Sequence, residues 1–77
     1  MCLEQIGRVV ETGDGTATTA IGRRRLPLSL VILESQGTPV SPGDWLVAHC
    51  GIALRKITED EAAGLLAARA EAVEPPS

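Results

Sequence analysis

Up to residue 57 the apolar positions come in short runs separated by glycine, proline and charge; after it they follow a different rhythm. Residues 7–12 carry the β-branched pair Val9-Val10 and predict a strand, with Gly13-Asp14-Gly15 behind it. Asp-Gly between two β-rich runs signals a hairpin, so residues 16–22 are the return strand, weakly apolar and half exposed. Arg23-Arg24-Arg25 interrupts the pattern and reads as a solvated loop, docking to an acidic partner surface being the alternative. Residues 28–34, Leu-Ser-Leu-Val-Ile-Leu-Glu, form the most apolar segment. They are too few for a solitary buried helix and are bounded by Pro27 and the Gln36-Gly37-Thr38-Pro39 turn, which predicts a buried strand. Ser41-Pro42-Gly43-Asp44 is a further turn, with Asp44 capping its backbone. Residues 45–50 and 52–57 are two more strands, Gly51 marking a bend or bulge between them. Strand alternation puts Trp45, Val47 and His49 on one face and Leu46, Ala48 and Cys50 on the other. Unless Gly51 bulges the chain, Cys50 is expected as a small buried hydrophobe rather than a metal ligand.

From Thr58 the period changes. Thr58-Glu59-Asp60-Glu61 has the spacing of a capping box, and three acids suit the positive end of a helix dipole. Ala62, Leu65, Leu66 and Val73 lie on one stripe, interrupted by Arg69, and predict an amphipathic helix of about 15 residues. Ile57 is placed to staple onto Ala62. Gly64 costs up to ~1 kcal/mol in a helix, which a backbone pressed against the strands would explain.

Five short strands followed by one helix imply a mainly β fold: a small OB-like barrel over residues 1–57, a C-terminal helix over 58–73 and a tail over 74–77. Closure protects edges that a chain of 77 residues otherwise struggles to cover. A core this small supplies only ~3–5 kcal/mol of net stability. Trp45 is the only aromatic residue, so aliphatic side chains must fill that core. The net charge of −3 lacks the basic footprint that nucleic acid requires. Two cysteines are too few for a disulfide scaffold, and no signal peptide or membrane span is expected. The expected setting is a reducing cytoplasm.

The candidate chemistry centres on Cys2 and His49. A cysteine after the initiator methionine becomes an amine-thiol if Met1 is trimmed, and a neighbouring positive charge raises the thiolate fraction. Thiolate and imidazole together suit iron and other borderline metals. Two protein donors cannot close a coordination sphere by themselves.

Met1-Cys2-Leu3, then Gly7-Arg8-Val9-Val10, then Pro42-Gly43-Asp44-Trp45-Leu46-Val47-Ala48-His49-Cys50-Gly51-Ile52-Ala53, resemble the HypC/HupF family over nearly the whole chain. The resemblance implies a chaperone of [NiFe]-hydrogenase maturation without enzymatic turnover. It implies binding to the scaffold protein HypD and to the immature large subunit, with delivery of an Fe(CN)2CO iron fragment. It places metal binding on Cys2 and His49, and partner binding on Cys2, Leu3, Gly7, His49 and Gly51, in a chain expected to be monomeric when alone. Two departures stand out. Ile6 replaces the family's proline before Gly7, removing a residue that stiffens the segment carrying Cys2. Cys50 stands where the family usually has an apolar residue.

Three other readings compete. An oligonucleotide-binding barrel needs stacking aromatics and a basic groove, against which stand one tryptophan and a negative charge. An enzyme with Cys2 as nucleophile and His49 as base needs oxyanion donors and a pocket, for which there is little room. A purely structural barrel leaves Cys2 without a role.

Overall fold

The computed structural model describes residues 4–72, with side chains placed to residue 68. Five strands, β1 (Gln5–Gly13), β2 (Thr16–Ile21), β3 (Arg24–Ser29), β4 (Trp45–His49) and β5 (Ile52–Ile57), close into a barrel in the order β1-β2-β3-β5-β4. A short helix α1 (Val31–Ser35) follows β3, and α2 (Glu59–Ala72) follows β5. The barrel and terminal helix agree with the sequence reading. Val73, expected on the stripe of α2, lies outside the described residues.

β1 and β2 form the expected hairpin, with Gly15 in the left-handed region at φ +71°. β1 pairs on its other side with β4, and Val10 bulges between the partners of Thr19 and Thr18. Val9 at that bulge also exchanges backbone bonds with the preceding loop of β4, Asp44 O at 2.8 Å and Gly43 N at 2.8 Å. Asp44 caps its turn as expected, accepting from Ser41 N at 2.8 Å. The barrel closes through one parallel bridge, Ser29 to Ile52.

Two parts of the sequence reading need correction. Arg24 and Arg25 are not loop residues; they pair with Ile21 and Ala20 inside β3, and only Arg23 sits in the hairpin turn. All three arginines are exposed, so a charge run is accommodated in a strand whose long side chains reach water. The apolar segment 28–34 is not one strand. β3 ends at Ser29, and the chain turns into α1 with Leu30 at its N-cap. The i, i+3 spacing of Leu30 and Leu33 puts both on one helix face. Both are buried with Val9, Ala17, Leu28, Leu46, Ala48 and Ala53 in the interior core. A continuing strand would have turned one of them out. α1 stops in a Schellman motif: Thr38 N donates to Leu33 O at 2.9 Å and Gly37 N to Glu34 O at 3.0 Å, with Gly37 at φ +72°.

A second, smaller core lies on the outer face, where Ile6, Val47, Ile57 and Ala62 are buried against half-buried Trp45. The Ile57–Ala62 staple is therefore present. The capping box is complete: Glu61 N donates to Thr58 Oγ1 at 3.0 Å and Thr58 N to Glu61 Oε1 at 3.0 Å. The hydrogen bond from the Thr58 backbone lowers the Glu61 pKa, with a further contribution from the Thr58 side chain. The box thus stabilises the helix start above the ordinary carboxylate range and loses that effect as pH falls through the lowered value.

Beyond Ala62, α2 departs from expectation. Leu65 and Leu66, on the predicted stripe, are each 39% exposed. The helix is anchored at its first turns through Ala62, and its apolar residues do not gather on one face. Nor is Gly64 pressed against strands: a Cβ there meets nothing within 4 Å. Gly64→Ala is therefore expected to raise stability by ~0.5–1 kcal/mol, read as a higher thermal midpoint by circular dichroism. A fall in the midpoint would show a contact that the open surroundings of Gly64 do not predict.

Candidate functional site at the β4–β5 turn

β4 is the strand from which the site is built. Its alternation divides the two cores, Leu46 and Ala48 facing inward, Trp45 and Val47 outward. His49 continues the outward row and is half-buried at the strand's end. A two-residue turn, Cys50-Gly51, then leads into β5, with His49 paired to Ile52. Cys50 has φ +53° and Gly51 φ +80°. Positive φ at both central residues is the type I′ pattern, whose twist matches antiparallel strands.

This corrects the expectation for Cys50. It is not a buried strand residue facing inward but an exposed turn residue. The turn ends the alternation that would have separated it from its neighbour. Cys50 Sγ comes to 3.9 Å from His49 Nε2. The signal was available in the sequence: two β-rich runs separated by two residues ending in glycine are a hairpin signature.

Of the predicted site residues, His49 and Gly51 meet at this turn. Cys2 and Leu3 lie outside the described residues. Gly7 pairs with Leu46 further along the barrel and is buried. A Cβ on Gly7 would stand 2.7 Å from Ile21 Cγ1 and 3.2 Å from Thr19 Cβ. Packing between β1 and β2 is thus a sufficient reason for glycine there. The chain enters β1 beside the site, since Gln5 pairs with Ala48.

Two grooves open elsewhere on the barrel. One runs beside Trp45, Lys56, Ile57 and Glu61, the other beside Arg8, Val10, Ala20 and Pro42; neither is lined by His49 or Cys50. The Lys56–Asp44 pair at 3.3 Å borders the first. Both partners are partly exposed, so the pair contributes no more than ~1 kcal/mol. Among the described residues no three histidine, cysteine or acidic side chains converge as a metal cage. No helix among them is long and apolar enough to cross a membrane.

The described site is thus an exposed thiol beside a half-buried imidazole at one turn of a closed barrel. Residues 1–69 match the model of the HupF/HypC family. The chain belongs to that family, the hydrogenase maturation chaperones, which is not a catalytic family. No curated protein matches the chain.

Proposed function

We propose that this protein binds a HypD-type scaffold and the immature large subunit of a [NiFe]-hydrogenase, and helps pass an Fe(CN)2CO fragment between them. Cys2 and His49 are its ligands to that iron. Family membership supports the role. The observation that carries the site is the pairing of Gln5 with Ala48, which leads the chain into the barrel beside His49. Cys2 stands three positions before Gln5, so covalent reach alone keeps the two Cα atoms within ~11 Å.

The chemistry follows from an open donor set. The Cys2 thiolate and the His49 imidazole offer two bonds, and the cyanide and carbon monoxide on the cargo occupy other positions. A ligand set completed by the partner can be exchanged for another partner's, as transfer requires. Cys2, Leu3, Gly51 and the rim around His49 form the partner contact, with Gly7 supporting β1 beneath it. The setting is cytoplasmic, and the chain alone is a monomer.

The test is the complex itself. Co-expressed with a HypD-type scaffold, the protein should co-purify with iron and with the infrared bands of bound cyanide and carbon monoxide. His49→Ala should lower the iron retained per complex while leaving the thermal midpoint of the free protein unchanged. A His49→Ala protein that keeps its iron but melts early would assign the imidazole to the fold instead. A complex without the infrared bands would overturn the cargo.

A further inference from the structure

Arginines crowd the turn between β2 and β3. Gly22 and Arg23 form that two-residue link, and Arg24 and Arg25 open β3 behind it. Arg25 pairs with Ala20, and Ala20 pairs with Arg8. Residues directly opposite share a face of the sheet. Arg8 and Arg25 therefore stand two strands apart, about 9–10 Å, with the small Ala20 between them. All four arginines are exposed, and among the described residues none forms an ion pair. Like charges this close repel, which is a cost to the fold rather than a support. Edge protection does not require them either. On its outer side β3 pairs only at Ser29, and Pro27, lacking the N–H that an added strand would need, already blocks that edge.

The position of the patch points to its use. β1 runs antiparallel to both β2 and β4. The start of β1, the β2–β3 turn and the β4–β5 turn therefore share one end of the barrel. The arginines and the His49 rim lie at that end, on either side of β1. The acids gather toward the other. Asp14 sits in the β1–β2 turn with Glu11 and Glu34 near it, Asp44 precedes β4, and Glu59, Asp60 and Glu61 follow β5. Of the described acids only Glu4, just ahead of β1, adjoins the arginines' end. A chain of net charge −3 thus presents one positive end.

We propose that Arg23, Arg24 and Arg25, with Arg8 beside them, dock an acidic segment of the protein partner that engages the His49 rim. The inference deepens the function proposed above and rests on it for the partner's identity; the patch itself does not depend on it. Arginine suits the task, since its planar fork grips a carboxylate through two hydrogen bonds. Charges at a contact's rim set the rate of encounter and its salt dependence more than the final affinity. Pro27 keeps the segment from joining as an added strand, so recognition falls to the side chains. The phosphates of a nucleic acid would meet the same charge, but they come with bases that need a stacking platform. Trp45, the one ring in the chain, is half-buried against the outer core instead.

Surface plasmon resonance with the full-length protein and a purified HypD-type scaffold tests this. The triple variant Arg23→Gln, Arg24→Gln, Arg25→Gln alters exposed side chains only. It should lower the association rate about tenfold or more at low salt. It should also flatten the salt dependence and leave the thermal midpoint of the free protein unchanged. The corresponding triple lysine variant should recover most of the rate, because charge is what attracts at a distance. Wild-type rate and salt dependence in the glutamine variant would overturn the patch and leave the chaperone role standing. If the unsubstituted protein bound no scaffold, the proposed function would fail instead, and poly-L-glutamate would judge the patch. Binding that the glutamine variant loses would support it; no binding would overturn it. Tighter binding of an oligothymidylate than of poly-L-glutamate would assign the arginines to nucleic acid and overturn the acidic protein partner.

Discussion

Cys2→Ala should abolish capture of the HypD-type scaffold and of the large-subunit precursor, with the barrel intact. The two halves of that expectation have different causes. The described barrel begins at Gln5, and its two cores are built from residues 6 to 62. The thermal midpoint and the cooperative change in Trp45 fluorescence should match the unsubstituted protein. The loss falls on the contact instead. A thiolate is the strongest soft donor a protein can offer, and His49 alone cannot hold a shared metal against exchange. Affinity tag pull-downs from co-expressing cells measure this directly. Wild-type recovery of both partners by the alanine variant would remove the thiol from the proposed function. An early-melting variant would instead show that residue 2 supports the fold.

The second large effect is on stability. Leu33→Ala should destabilise the protein by ~2–5 kcal/mol, the range for a buried leucine truncated where the surroundings cannot collapse. Leu33 is 1% exposed and sits in the interior core with Leu28, Leu46 and Ala53. Strands hydrogen-bonded in a closed ring move little to fill a void, so the cavity persists. Against the ~3–5 kcal/mol available to a core of this size, the loss leaves a large unfolded fraction at room temperature. Urea titration followed by Trp45 fluorescence gives the number. Leu33→Met, which conserves volume, should cost less than ~1.5 kcal/mol. Equal behaviour of Ala and Met variants would mean that Leu33 does not plug the barrel.

The capping box, the Asp14-Gly15 hairpin and the alternation of β4 were readable because each is local. Thr58 and Glu61 are three residues apart and need only one another. The segment 28–34 was misread for the converse reason. Its composition suits a strand or a buried helix turn equally, and the open end of the barrel decided between them. Gly37 with Thr38 held a clue, since a left-handed glycine closes a helix as readily as a turn. The amphipathic stripe expected of α2 does not hold: its apolar residues do not gather on one face, and of Ala62, Leu65 and Leu66 only Ala62 is buried.

The site divides in the same way. His49 could be placed at the end of an outward row from alternation alone. Cys50 is sent inward by alternation alone; the two-residue turn, a local feature, is what brings its sulfur to 3.9 Å from His49. By itself the sequence determined the barrel-and-helix class, the family and the two original candidates, Cys2 and His49. These depend on short-range periodicity and on motifs that survive any packing detail. The tertiary structure decided where the apolar run leaves the sheet and how much of α2 is covered. Each of those depends on closure of the ring of strands, a long-range constraint that no window of neighbouring residues contains.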